Sequence, residues 1–414
     1  MLMVEKTLLL YVPVPIVMGE EGLLYESQAC NGLRLWAENF DRVIVMSPRG
    51  EKAPSGGVWL PVVKAIPNLD RIEFHSLPEA SRPDRFLRQL PETRRLIRQL
   101  IARADYLCFA IGGFFGDWGM VSCMEAHQLG RPYAVWTDRV ESEVLRQSFG
   151  DLRFAARMKA RLIQPTMAYM ERRVVRRATL GLFHGRETFE AYSPHCRGRS
   201  EMVHDIHISH KDHIAPEALQ EKQADAVRGP LRICYTGRVD AMKGPFDWLK
   251  VLRRLAERGV DFQATWLGDG SLRLAMQRRV GEYGLTDRVI MPGFASARES
   301  VLDTLRQSHL MLFCHKTPES PRCLIEALIS GTPIVGYDSA FPRDLIAAHG
   351  GGRLVPRDDI AGLADQVADL DRDRSVLANL MAKAAADGAP FADTEVFQHR
   401  SALIKQYLPP VRSD

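Results

Sequence analysis

The sequence predicts an α/β protein with two Rossmann-like, doubly wound parallel sheets, and three observations carry that prediction. Short apolar runs alternate with amphipathic stretches along nearly the whole chain, the pattern of βα units on a parallel sheet. That pattern degrades once, after Glu201, and restarts cleanly at Leu231. The 414 residues suffice for two or three domains at about 150 residues each.

Taken in order, the first apolar stretch runs from Thr7 to Met18, carries Pro13 and Pro15, and follows Glu5 and Lys6. It is too short and too broken to span a bilayer and has no small-residue cleavage site, so Thr7 to Val12 reads as a buried first strand. Further strands are expected at Arg42 to Met46, Tyr106 to Ile111, Tyr133 to Thr137 and Leu180 to His184, with helices between them. These define an N-terminal domain over residues 1–205. The polar, histidine-rich stretch that follows reads as a linker over 206–229. A second domain over 230–394 holds strands at Leu231 to Thr236, Phe262 to Leu267, Val289 to Met291, Leu310 to Cys314 and Ile334 to Tyr337. The last helix, Val396 to Tyr407 within 395–414, could pack on either domain. Open parallel sheets bind ligands beyond the C-terminal ends of their strands, so two such domains facing across a cleft would enclose two ligands.

With 46% hydrophobic and 26% charged residues the composition is that of an ordinary globular protein, and a net charge of +4 argues against a dedicated nucleic-acid binder. The seven cysteines are scattered without a CxxC pair, which disfavours a zinc ribbon or disulfide framework and fits the reducing cytoplasm.

Chemistry concentrates in the second domain. After the strand ending at Thr236 come Gly237, Arg238, Lys243 and Gly244, then the amphipathic run Phe246 to Arg258. Two cations flank a short loop that opens a helix, where they can neutralise a phosphate while the glycines permit close backbone approach. Neither a P-loop nor a GxGxxG fingerprint is present. The second element, Thr317 to Pro333, reads as a capped helix with Ser320 as N-cap, Pro321 in the first turn, Gly331 at C′ and Pro333 at the exit. The amides of Arg322, Cys323 and Leu324 would face an anion at the positive end of the helix dipole. Glu319 lies just before the helix and Glu326 about 7 to 8 Å along it by the 1.5 Å rise. Carboxylates on either side of a diphosphate site suit a nucleotide sugar, one acid for sugar hydroxyls and the other for ribose.

At these residues the chain resembles the retaining glycosyltransferases of the GT-B fold, in particular family four, the group 1 glycosyl transferases. The motifs are YTGRVDAMKG (Tyr235 to Gly244), WLGDG (Trp266 to Gly270), VIMPGF (Val289 to Phe294) and ESPRCLIEALISGTPIVG (Glu319 to Gly336). In the N-terminal half the resemblance rests on VMGEEG (Val17 to Gly22) and ERRVVRRATLGLF (Glu171 to Phe183). It implies that Arg238 and Lys243 grip the donor diphosphate, Glu326 the ribose and Glu319 the transferred sugar. The family usually places one more residue between its two glutamates than the six, Ser320 to Ile325, found here, and strict register would fall on Pro318. Many relatives carry a histidine facing the donor sugar where YAVWTDRVES offers Asp138, whose carboxylate can accept a sugar hydroxyl and stabilise positive charge near an anomeric carbon.

Negative charge grows on the diphosphate as the anomeric bond breaks, and Arg238, Lys243 and the helix terminus address it without a divalent metal. The resemblance further implies retention, with the leaving phosphate helping to deprotonate the acceptor. No cofactor is expected beyond the nucleotide-diphosphate sugar donor. On the acceptor side, Phe114, Asp117 and Trp118 follow a strand, where Trp118 could stack on a carbohydrate and Asp117 hydrogen-bond it; equally, the surrounding glycines could allow a tight turn with buried aromatics. Gly19, in Gly19 to Gly22, could bring its amide to the donor phosphate. His204, His207, His210 and His213 recur every third residue, but they suit a hinge lining the cleft better than a metal site.

Two basic runs stand out, Arg82 to Arg103 with seven arginines and Arg153 to Arg177 with eight basic residues against Glu171 alone. Either is a solvated helix surface or a face for anionic lipid head groups, which places the protein in the cytoplasm or peripherally on the membrane. Nucleic acid is not an expected partner, because aromatic interleaving is sparse. The function expected is transfer of a sugar to a glycan, a glycolipid (lipid-linked) or a small hydroxyl acceptor in exopolysaccharide or cell-envelope synthesis. The alternatives are a non-catalytic sugar-nucleotide-binding subunit and a GT-B nucleotide-sugar epimerase.

Overall fold

Each apolar run becomes a strand of one of two parallel sheets. The computed structural model describes residues 6–54, 57–113, 115–150, 154–317 and 319–409. The chain divides into two units, Met1–His207 with Asp393–Asp414, and Ile208–Ala392.

The first unit contains β1 (Thr7–Tyr11), β2 (Val17–Gly19), β3 (Gly22–Glu26), β4 (Arg42–Pro48), β5 (Trp59–Pro61), β6 (Ile72–Leu77), β7 (Tyr106–Ala110), β8 (Ala134–Thr137), β9 (Leu180–His184) and β10 (Arg199–Val203). Seven of these form a parallel sheet in the order β10-β9-β8-β7-β1-β4-β6, and β2, β3 and β5 form a small antiparallel one. Successive side chains of a strand point to opposite faces, and here both faces are covered. Leu9, Tyr11, Ile44 and Phe109 enter one core, while Leu8, Leu10, Val43 and Val45 enter the other. That double burial is why these strands read as unbroken apolar runs. The C-terminal helix Asp393–Tyr407 belongs to this unit, with the ring of Phe397 5.3 Å from that of Trp36. From the same helix the buried Arg400 pairs with Asp205 at 2.9 Å.

The second unit contains β11 (Leu231–Thr236), β12 (Phe262–Leu267), β13 (Val289–Gly293), β14 (Leu310–Phe313), β15 (Ile334–Tyr337) and β16 (Gly352–Val355), parallel in the order β13-β12-β11-β14-β15-β16. This is the 3-2-1-4-5-6 order of a Rossmann sheet, with the direction of winding reversing between β11 and β14. In the first unit the reversal falls between β1 and β7.

The stretch expected as a linker is largely structured. The units part between His207 and Ile208, and a helix, Pro216–Asp225, follows within the second unit. Its Lys222 is buried, and the ammonium donates to the carbonyls of Leu305 (3.1 Å) and Ser330 (3.0 Å) and to Thr332 Oγ1 (2.6 Å). A long stem with three donors is what two neighbouring helix C-termini need. Among the described residues no helix is long and apolar enough to cross a membrane.

Candidate functional site

In the second unit the reversal between β11 and β14 leaves a crevice at the C-terminal ends of those strands, and the loops leaving both converge there. After β11 the chain makes a short 3-10 turn, Ala241–Lys243, and then passes through Gly244 at φ +66° into the helix Pro245–Glu257. A Cβ on Gly244 would lie 2.1 Å from the carbonyl oxygen of Cys314, just past β14, so this glycine is required by the approach of protein to protein. The contact locks the two loops together and turns Lys243 inward.

Lys243 Nζ donates to Glu319 Oε1 at 2.7 Å, with only 10% and 11% of the two side chains exposed. Beneath them, Tyr235 OH and His315 Nε2 lie 2.8 Å apart, and the Tyr235 ring sits 4.2 Å from that of Trp266. Burial, then the charge of Lys243, holds the His315 imidazole well below its ordinary value. It is therefore a neutral support for the site. Burial also pushes the Cys323 thiol up to about 12, which makes it inert.

The helix after Glu319 runs from Arg322 to Ile329, with Pro321 rather than Ser320 at the N-cap position. Pro321 is extended (φ −74°, ψ 120°) and offers no side-chain cap, so the helix starts later than the sequence predicts. The Leu324 amide donates to the Pro321 carbonyl at 3.2 Å and its side chain is buried, so Leu324 is spent within the turn and not presented to an anion. Arg322 and Cys323 open the helix, and Ser320 is buried just before it. At the other end Gly331 is left-handed (φ +62°), and the amides of Gly331 and Thr332 donate back to Leu328 and Ala327, a Schellman closure.

Glu326 has a partner that sequence reasoning missed. Arg298 Nη1 approaches its Oε1 at 3.3 Å, while Nε of Arg298 lies 3.4 Å from Asp212 Oδ2. A cation in the first turn of a helix, here Arg298–Gln307, opposes the dipole, and that was the one signal available in the sequence. Arg238 is the most exposed of the group, with 64% of its side chain accessible and Asp240 at 3.4 Å. Pro318 lies outside the described residues.

In the first unit, Asp138 is exposed just past the end of β8, and Gly19 ends β2, paired with Gly22 across a hairpin. The acceptor-side expectations need correction. Trp118 is fully buried, its Nε1 donates to the Pro78 carbonyl at 2.9 Å, and its ring packs 5.1 Å from Phe86, so it cannot stack on a carbohydrate. Asp117 is buried too, accepting from the amides of Gly112 and Met120 at 3.1 Å each as the cap of the helix Trp118–Gln128. Burial raises its carboxyl to about 6. Phe114 lies outside the described residues. The four histidines do not form one cluster: the rings of His210 and His213 lie 5.9 Å apart, but His207 Nδ1 lies 3.2 Å from Asn31 Nδ2, and His213 Nε2 lies 2.9 Å from the Phe391 carbonyl. Among the described residues no three metal-ligating side chains come together.

Two doubly wound parallel sheets of this kind make up the GT-B fold. HepE of Anabaena, solved with UDP, shares it with a TM-score of 0.67 at 17% identity, over 96% of this chain and 98% of HepE. The family model of the glycosyl transferases group 1 matches residues 217–387 of the chain. Alpha-D-kanosaminyltransferase of Streptomyces kanamyceticus is 26% identical over 217 residues, 50% of this chain and 55% of that protein. The amylovoran biosynthesis glycosyltransferase AmsK of Erwinia amylovora is 29% identical over 157 residues, 36% of this chain and 38% of that protein. The chain thus spans about half the length, or less, of these curated relatives.

Proposed function

We propose that the protein transfers a sugar from a nucleoside-diphosphate sugar to a hydroxyl acceptor with retention of anomeric configuration and without a divalent metal. The observation that carries this reading is the pairing of Lys243 with Glu319 at the crevice of a Rossmann sheet. There an ammonium for the leaving diphosphate stands beside a carboxylate for the sugar hydroxyls. Arg238 and the opening residues of the helix, Arg322 and Cys323, add positive potential where negative charge develops. Glu326, with Arg298, is assigned to the ribose, and Asp138 to a sugar hydroxyl. In the step itself the bond from the anomeric carbon to the phosphate oxygen breaks and the acceptor oxygen bonds that carbon on the same face. The acceptor proton passes to the leaving phosphate, so no side-chain base is needed.

HepE was also solved with UDP-glucose, and AmsK is named for exopolysaccharide synthesis. The first supports a UDP-hexose donor and the second a glycan or lipid-linked glycan acceptor. A second reading, sugar-nucleotide binding without transfer, is favoured by one observation, that Lys243 already occupies the Glu319 carboxylate. An assay of UDP release and sugar transfer from UDP-glucose, in EDTA and with candidate glycan acceptors, separates the two. Donor turnover abolished by Glu319→Ala supports transfer; tight donor binding with no turnover selects the alternative.

A further inference from the structure

The two arginine-rich helices prove to be different surfaces. In the run Arg82 to Arg103, Arg85 pairs with Glu79, Arg94 and Arg98 with the buried Glu125, and Arg103 with Glu73. Its charge is largely taken up in ion pairs within the unit. The helix Phe154–Arg177 shows the opposite. Arg172, Arg173, Arg176 and Arg177, with Arg197, line a groove of about 790 Å³, and among the described residues none of the five pairs with a carboxylate. The helix's one acid, Glu171, is buried and taken by the Ser142 amide at 3.0 Å. Burial, then the charges of Arg172 and Arg176, holds the nearby His195 imidazole below its ordinary value, as an uncompensated positive field requires.

The same helix exposes a row of apolar side chains, Phe154 (78% accessible), Met158, Leu162 (75%) and Tyr169, spaced so that they share one side. Pro165 and Tyr169 also line the arginine groove, so the apolar row and the cationic groove are continuous. The helix leads into β9, which sets its arginines at the N-terminal edge of the sheet, opposite the ligand edge. Its 24 residues extend about 36 Å against roughly 17 Å for a five-residue strand, so the apolar half overhangs the sheet.

We infer that this face docks on an anionic phospholipid surface, the arginines taking headgroup phosphates and the apolar row entering the acyl boundary. A soluble oligophosphate would use the groove but leave the apolar row in water without purpose. A nucleic acid would require more aromatic side chains beside the arginines than Tyr169 provides. The inference is independent of the transferase reading, because it concerns other residues and is read by binding.

Its test is sedimentation of the full chain with phosphatidylcholine vesicles, with or without roughly 30 mol% phosphatidylglycerol. The expected result is binding at least about tenfold stronger to the anionic vesicles, weakening with added salt. Arg173→Glu/Arg177→Glu and Phe154→Ser/Leu162→Ser should each reduce it by about tenfold or more while nucleotide-sugar binding is retained. Hydrogen exchange on the wild type, which needs no variant to fold, should show vesicle-dependent protection over residues 154–177. Binding of tripolyphosphate or a single-stranded oligonucleotide without vesicle binding overturns the inference. Vesicle binding that is indifferent to both double variants and leaves 154–177 unprotected overturns it equally.

Discussion

Lys243 and Glu319, 76 residues apart in the chain, meet at 2.7 Å in the crevice where the second sheet reverses direction. Each is the other's charge partner in a nearly dry position, so removing either leaves a poorly solvated charge behind. Lys243→Ala is expected to lower turnover by about 10²- to 10³-fold, the scale of losing one preorganised charge-stabilising donor. The double variant Lys243→Ala/Glu319→Ala should be more stable than Lys243→Ala by about 0.5 to 3 kcal/mol. Urea unfolding of the four members of the cycle measures that coupling; strict additivity would contradict the pairing.

Gly244 and Gly259 are both left-handed, at φ +66° and +75°, yet only Gly244 has a carbonyl oxygen where a Cβ would go. Gly259→Ala should cost about 1 to 2 kcal/mol from backbone strain alone. Gly244→Ala should cost more, about 3 kcal/mol or above, and displace Lys243 with loss of donor binding. Equal melting points for the two variants would show that the loops do not touch as described.

Trp118 and Asp117 are expected to govern stability. Trp118→Ala should cost about 3 to 5 kcal/mol as a buried large-to-small change. Asp117→Ala should cost about 0.5 to 2 kcal/mol through loss of the helix cap, with Asp117→Asn much milder. Chemical denaturation of the three variants checks this, and a fully stable Trp118→Ala protein would return that residue to the list of acceptor contacts.

The sequence made the interior strands legible because a parallel strand covered on both faces is an unbroken apolar run, as in Leu8 to Tyr11 or Leu310 to Phe313. It did not reveal β6, β10 or β16, all edge strands with one neighbour, whose residues Glu73, Ser76, Arg199 and Arg353 interrupt the run. The crevice cations and acids could be picked out because loops after strands of a Rossmann sheet carry its chemistry. Their mutual geometry could not: Lys243 with Glu319 and Arg298 with Glu326 are juxtaposed by sheet order and loop contact. Trp118 shows the converse failure, since a glycine-flanked aromatic looks the same in sequence whether it faces a ligand or Phe86 and Pro78.

Acid should destabilise the protein through His309. Its Nδ1 accepts from the Arg232 amide at 3.1 Å, and burial first, then Arg232, lowers it from 6.5 to about 3. Between those values the unfolded chain binds the proton and the folded one does not, so stability present above about pH 6.5 is lost as the pH falls toward 3. Thermal midpoints of the wild type and His309→Asn should therefore converge, or cross, on acidification. A difference that does not change with pH would mean the imidazole titrates normally.

The second unit's crevice is proposed to hold a nucleoside-diphosphate sugar through Lys243 without a metal. The most direct measurement is a thermal-shift panel of UDP, GDP, ADP and their sugar conjugates, with and without EDTA, on the wild type and Lys243→Ala. At a hundredfold excess over Kd a ligand of the folded state adds about 2.7 kcal/mol, a readily visible shift. Metal-free binding through Lys243 predicts stabilisation by one nucleotide family, unchanged by EDTA and lost in Lys243→Ala. Stabilisation that requires a divalent metal, that survives Lys243→Ala, or that no nucleotide produces would contradict it.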